Sequence, residues 1–196
     1  MGFEVPEYTA DLERVICEWI TINLKEPINS YANLMNGFTL TELLGKIDPN
    51  RFDIRQLWRL NEGNKGTEQE AFSWNNLAVF EEYLKKIWED ETKKNIFDFI
   101  EIDFERVFKD KDVNIMHKLV CIVFLTIIML SKIEAALDLI QSINQLQDSA
   151  HEKMQAFAEE CVNLYSQINP ESKELKNEST SPYAQDDNNR DSGSIV

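Results

Sequence analysis

Residue types suited to metal or proton chemistry are scarce in this chain. Histidine occurs twice, at His117 and His151, and neither has an HExxH-type partner or a cluster of carboxylates at ligand spacing. The three cysteines, Cys17, Cys121 and Cys161, lie far apart, are odd in number and include no CxxC pair, which argues against both a disulfide framework and a zinc site. Each sits among apolar residues at helical spacing, the pattern of buried thiols in a reducing compartment. No nucleophile elbow is present. Gly63-Asn64-Lys65-Gly66-Thr67 has the wrong Gly-Lys-Ser/Thr order for a phosphate loop and no strand before it, so it reads as a plain loop. The expectation is a protein without metal, cofactor or catalytic residue, and not an enzyme.

Positive charge is also in short supply. Lysine and arginine total 20 against 35 aspartates and glutamates, a formal charge of −15. That balance argues against nucleic acid, whose phosphates demand a basic face, and disfavours anionic membranes and acidic filaments. No apolar run is long enough for a bilayer: the block Leu119–Leu130 is twelve residues, against about 20 for a spanning helix. The start of the chain, Met1 to Glu7, has neither a basic n-region nor an apolar h-region, so no signal peptide is expected. A cytoplasmic protein is the resulting expectation.

What the chain does have is helical periodicity. Leu119–Leu130 is apolar on every side except Thr126 and must be buried on every side, as the central helix of a bundle. Asp112 is placed to cap it, and it should run from about Val113 to Ser131. Leu12, Val15, Ile16, Trp19 and Ile20 mark a first amphipathic helix, capped by Thr9 or Asp11 and stopped before Pro27. Phe38, Leu40, Leu43, Leu44 and Ile47 mark a shorter one, ended by Asp48-Pro49, and a third runs from about Glu70 to Asp90. Residues 95–108 alternate ambiguously between a short helix and irregular packing. From Ala135 to Ile168 the apolar steps are threes and fours, either one long helix or two nearly collinear ones with a bend near Gln147-Asp148-Ser149. The expected architecture is all-α, with a domain over residues 1–168 and a disordered, polar, acidic tail over 169–196.

Two features point to interactions. On the last helix, Ala150, Met154, Phe157, Ala158, Cys161 and Leu164 form a stripe. It is either ordinary core or the lining of a groove that receives an amphipathic helix. At the C-terminus, Ser194-Ile195-Val196 has the form of a PDZ-domain ligand.

The order of these segments resembles the HOOK domain, the divergent calponin-homology domain of Hook, girdin and Daple proteins. The resemblance covers about residues 9–165. It rests on Leu12 to Leu24 with Trp19, on Asn36-Gly37-Phe38-Thr39-Leu40 through Ile47-Asp48-Pro49-Asn50-Arg51-Phe52, and on Asn76-Leu77. It continues through Leu119–Leu130 with Ser131-Lys132-Ile133-Glu134, then Leu139-Ile140-Gln141-Ser142-Ile143 and Leu146-Gln147-Asp148-Ser149. It implies a calponin-homology-like helical bundle with an extended C-terminal helix. It also implies a cytoplasmic, cytoskeleton-associated adaptor that links cytoplasmic dynein or microtubule-associated machinery to cargo. The partner it implies is a short helix of the dynein light intermediate chain, held in a groove involving the last helix. By position, a glutamine of the family's groove falls at His151 and a key isoleucine at Ala158. The expected partner-binding set is therefore Ala150, His151, Met154, Phe157, Ala158 and Cys161. The alternatives are an actin- or microtubule-binding calponin-homology domain and a helix-binding scaffold without dynein contact.

Overall fold

The structure is a computed structural model that describes residues 3–55, 57 and 69–171. The expected loop at 61–67, most of the expected tail and the Ser194-Ile195-Val196 end lie outside the described residues. Among those described there is helix and connecting turn, and no strand.

Helix α1 spans Ala10–Leu24; Thr9 is its cap, its hydroxyl accepting the Leu12 N–H at 3.1 Å. The helix ends where Lys25 turns left-handed, at φ 61°. Helix α2 spans Phe38–Gly45 and starts from Gly37 at φ 71°. A side chain at Gly37 would be strained by that φ and would meet the Asn76 and Leu77 backbone at 3.4 Å, so glycine is required there. Helix α3 spans Gln69–Thr92. The ambiguous stretch after it resolves into a 3-10 turn at Ile96–Asp98 and helix α4, Phe104–Lys109. Helix α5 spans Val113–Met129, and the Asp112 carboxylate accepts from the N–H groups of Asn114 and Ile115. Helix α6 spans Glu134–Gln141 and helix α7 spans Asp148–Ile168.

From Ile115 through Met129 every residue of helix α5 is buried except Lys118 and Ile128, which are partly so. Helices α2, α3, α4, α6 and α7 all pack on it, and Trp19 of α1 meets Phe124 edge-on at 5.5 Å. Thr126 does not interrupt this burial. Its hydroxyl donates to the Ile122 carbonyl at 2.8 Å and accepts the Trp88 indole N–H at 2.9 Å, so each polar atom is satisfied where water is absent. His117 is handled in the same way. Its Nε2 faces the Pro6 carbonyl at 3.0 Å and its Nδ1 faces the Tyr31 hydroxyl at 2.8 Å. A carbonyl only accepts, so Nε2 carries a proton, and the Tyr31 hydroxyl, which can donate or accept, satisfies Nδ1. The histidine is a buried core residue with a partner at each ring nitrogen.

The last two helices are not collinear. A 3-10 turn at Ser142–Gln145 is followed by extended Leu146 and Gln147, at ψ 151° and 156°. The chain therefore folds back. Trp19 fixes the reversal, its indole N–H donating to the Leu139 carbonyl at 3.0 Å and to the Ser142 hydroxyl at 2.9 Å. Asn23 adds a bond to Ser142 at 2.8 Å. At the other end, Asn169 is buried and its N–H donates to the Tyr165 carbonyl.

Replacing Trp19 by phenylalanine keeps an aromatic ring against Phe124 but removes the indole donor. The expected loss is roughly 2 kcal/mol, from the missing hydrogen bonds and the cavity left by the larger ring system. Urea unfolding checks this, and a double-mutant cycle with Ser142→Ala should show coupling between the two sites rather than additivity.

Candidate helix-binding groove

The reversal between α6 and α7 decides which side chains meet. Along α7, Ala150, Met154, Phe157, Cys161, Leu164 and Ile168 recur at threes and fours and all turn inward. Phe157 packs on Phe124 at 5.2 Å and on His117 at 6.1 Å, and Cys161 meets Cys121 across the seam with α5. The neighbouring face of the same helix carries His151, Gln155, Ala158 and Val162, again at steps of four, three and four. This second face is only partly buried, with Ala158 packed against the edge of the core. It lines a groove of about 580 Å³ whose other wall is formed by Ile140, Gln141, Ile143 and Asn144.

The apolar part of the lining is Ile140, Ile143, Ala158 and Val162; the rest is polar, and Glu159 is the one carboxylate in it. Two contacts hold the rim. His151 Nε2 donates to the Asn144 side-chain oxygen at 3.2 Å, joining the two walls, and Gln155 donates to Glu159 at 3.4 Å along α7. Beyond the end of the groove, Leu137 and Ile133 of the α6 segment stand 42% and 37% exposed. With Ile140 they continue one apolar strip along α6.

Helix α7 is held firmly behind this surface. Lys153 forms an ion pair with Asp11 at the start of α1, and Lys94 donates to the Ile168 carbonyl at 2.6 Å, neutralising the negative end of the helix.

The expected partner-binding set thus divides. Met154, Phe157, Cys161 and Ala150 lie in the core, each 4% exposed or less, and burying the stripe there turns it away from the groove. His151 and Ala158 alone of the set line the groove. Ile140, Ile143, Gln155, Glu159, Val162 and Asn163 join them without having been anticipated. Ile140 and Ile143 were visible in the sequence as apolar steps, but nothing local distinguishes an isoleucine at a groove from one in a core.

The three thiols differ in their surroundings: against the upward push of burial, hydrogen bonds from Cys161 and His117 hold the Cys121 thiol below its ordinary range. Cys17, Cys121 and Cys161 are free and buried, and burial, helped by Glu13, pushes Cys17 up to about 12. A second cavity, about 600 Å³, lies between Phe3–Tyr8 and the Phe99–Glu101 turn. The Phe3 N–H donates to the Phe99 carbonyl beside it. Among the described residues, no three of His, Cys, Asp and Glu gather where a metal ion would fit.

The profile of the HOOK domain matches residues 11–159, most of the chain and nearly all of the groove. The solution structure of the conserved domain of mouse HOOK1 protein is similar, with a TM-score of 0.62 over 82% of this chain and 96% of that chain. Its sequence identity is 16%, so that likeness concerns the fold. No curated protein sequence matches.

Introducing aspartate at Met154 or Phe157 places an unpaired carboxylate in the core. Each variant should lose more than about 3 kcal/mol and fail to give a cooperative melt. Gln155→Ala and His151→Ala, on the other face of the same helix, should keep midpoints within about 4 °C of the parent, about 1 kcal/mol or less of stability. Circular-dichroism melts of the four variants make the comparison.

Proposed function

The chain belongs to the HOOK domain family, and from that premise we propose that it is a cytoplasmic, cytoskeleton-associated adaptor that captures an amphipathic helix of a protein partner between α6 and α7. Hook-type domains are generally cytoskeleton-linking adaptors rather than catalysts. The partner we assign is the light-intermediate-chain helix of cytoplasmic dynein, which the adaptor would link to cargo.

The observation that carries this reading is the face of α7 adjacent to its buried stripe. An α-helix with two apolar-to-neutral faces, only one of them covered, has a surface left for another helix. From His151 to Val162 the wall is about 16 Å long, three turns of helix, matching a short helical segment laid alongside. The groove joins small and branched side chains, Ala158 and Val162 facing Ile140 and Ile143, so a partner's large apolar side chains can enter. Among the described residues no helix is long and apolar enough to cross a membrane.

Titrating the full chain into a labelled light-intermediate-chain helix, read by fluorescence anisotropy, tests the proposal. Saturable binding in the micromolar range is expected. Ala158→Ile adds three carbons to the lining and should tighten binding about three- to tenfold, given ~0.8 kcal/mol for each buried methylene before packing losses. Ala158→Glu should abolish binding without lowering the melting midpoint. A folded sample that binds no such helix refutes the assignment of dynein as partner.

A further inference from the structure

The charges bordering the groove are all of one sign. Glu159 lines it, and Glu152, seven residues earlier, stands on the same edge of α7. On the α6 side, Glu134 and Asp138 flank the exposed Leu137 in the same way. All four carboxylates are exposed, and among the described residues none is paired with a lysine or arginine. The nearby cations are engaged elsewhere: Lys153 points to Asp11, and Lys132 reaches Glu91 at 3.9 Å. An apolar trough between two acidic lips is complementary to one kind of ligand.

We infer that the occupant of the groove is a cationic amphipathic helix. Its apolar stripe packs on Ile140, Ala158 and Val162 and continues over Leu137, while lysines or arginines beside that stripe meet Glu152 and Glu159 on one lip and Glu134 and Asp138 on the other. This rests on the groove being a helix-binding site and adds the chemistry of what it selects. An anionic helix with the same apolar residues is rejected by like-charge repulsion at both lips. Because the lips are exposed, the selection is screened by salt and acts largely on the rate of encounter.

The test compares two designed peptides of about 18 residues, five turns of helix. They carry identical leucine and phenylalanine positions at i, i+3, i+4 and i+7 and differ only in having lysine or glutamate beside that stripe. Against the full chain in low salt, near 0.05 M, the lysine peptide should bind at least tenfold more tightly, and the ratio should shrink severalfold near 0.5 M as the screening length falls to a few ångströms. The double variant Glu152→Lys, Glu159→Lys should cut the preference about tenfold while melting like the parent. Reversing Glu4 and Glu101, which border the second cavity, changes the net charge equally and should leave the preference within about twofold.

Equal binding of the two peptides overturns the charge selection but leaves a helix-binding groove. An equal effect from Glu4 and Glu101 assigns the attraction to net charge and overturns the inference. If neither peptide binds, the groove reading fails and this inference with it.

Discussion

Helix α5 must be out of water on every side, and the rest of the structure is arranged around that requirement. Each of its buried Leu, Ile, Val and Phe side chains is worth about 1.5–3 kcal/mol in transfer from water. A side left open over two such residues would therefore cost an amount comparable with the whole net stability of a domain, about 5–15 kcal/mol. Five helices and Trp19 of α1 close that circumference. No neighbour can be removed without exposing the most apolar segment of the chain. The family's long C-terminal helix accordingly has a structural duty before it has any binding duty: Met154, Phe157 and Cys161 complete the wall around α5.

Within that apolar interior the few polar groups act as cross-links. His117 joins the N-terminal segment at Pro6 to the turn at Tyr31. Thr126 receives the indole of Trp88, and Trp19 clamps the end of α6. Each bond is directional and would leave a buried donor or acceptor unmet if a helix rotated or slipped, at about 1–3 kcal/mol for each group. Apolar contact alone is tolerant of such slips. The polar set restricts α1, α3 and α6 to one orientation about α5, and the groove inherits its shape from that restriction.

How much of this was legible in the sequence follows from the distance over which each feature is decided. Helices α1, α3 and α5 are written in local periodicity and caps; Asp112 and the all-apolar run to Leu130 suffice for α5. Residues 95–108 were ambiguous because a 3-10 turn and a six-residue helix are too short to show a period. The break between α6 and α7 was placed at about the right residues but given the wrong geometry. Apolar steps of three and four run on through Ile143, Leu146 and Ala150, whether the chain continues or folds back. What decides is the extended backbone at Leu146 and Gln147 and the grip of Trp19, more than 100 residues away in sequence. The groove suffered from the same limit. Its lining comes from two walls, and only their apposition separates Ile140 and Val162 from core residues with the same local pattern.

That apposition also bears on how a partner would be held. In one straight helix Ile140 and Val162 would stand about 33 Å apart; folded back, they face one trough. The fold-back does not depend on the trough being filled, because α7 is tied at both ends by contacts outside it, Lys153 to Asp11 and Lys94 to the Ile168 carbonyl. Its inner face is meanwhile committed to α5. Closing the trough by collapse would require α7 to roll, and rolling would withdraw Met154 and Phe157 from the core at several kcal/mol each. The surface is thus open because closing it is more costly than leaving Ala158 and Val162 half wet. A groove kept open in this way is preorganised: a helix docking there gains the apolar burial without first remodelling the bundle, and its affinity then depends on the few side chains lining the trough.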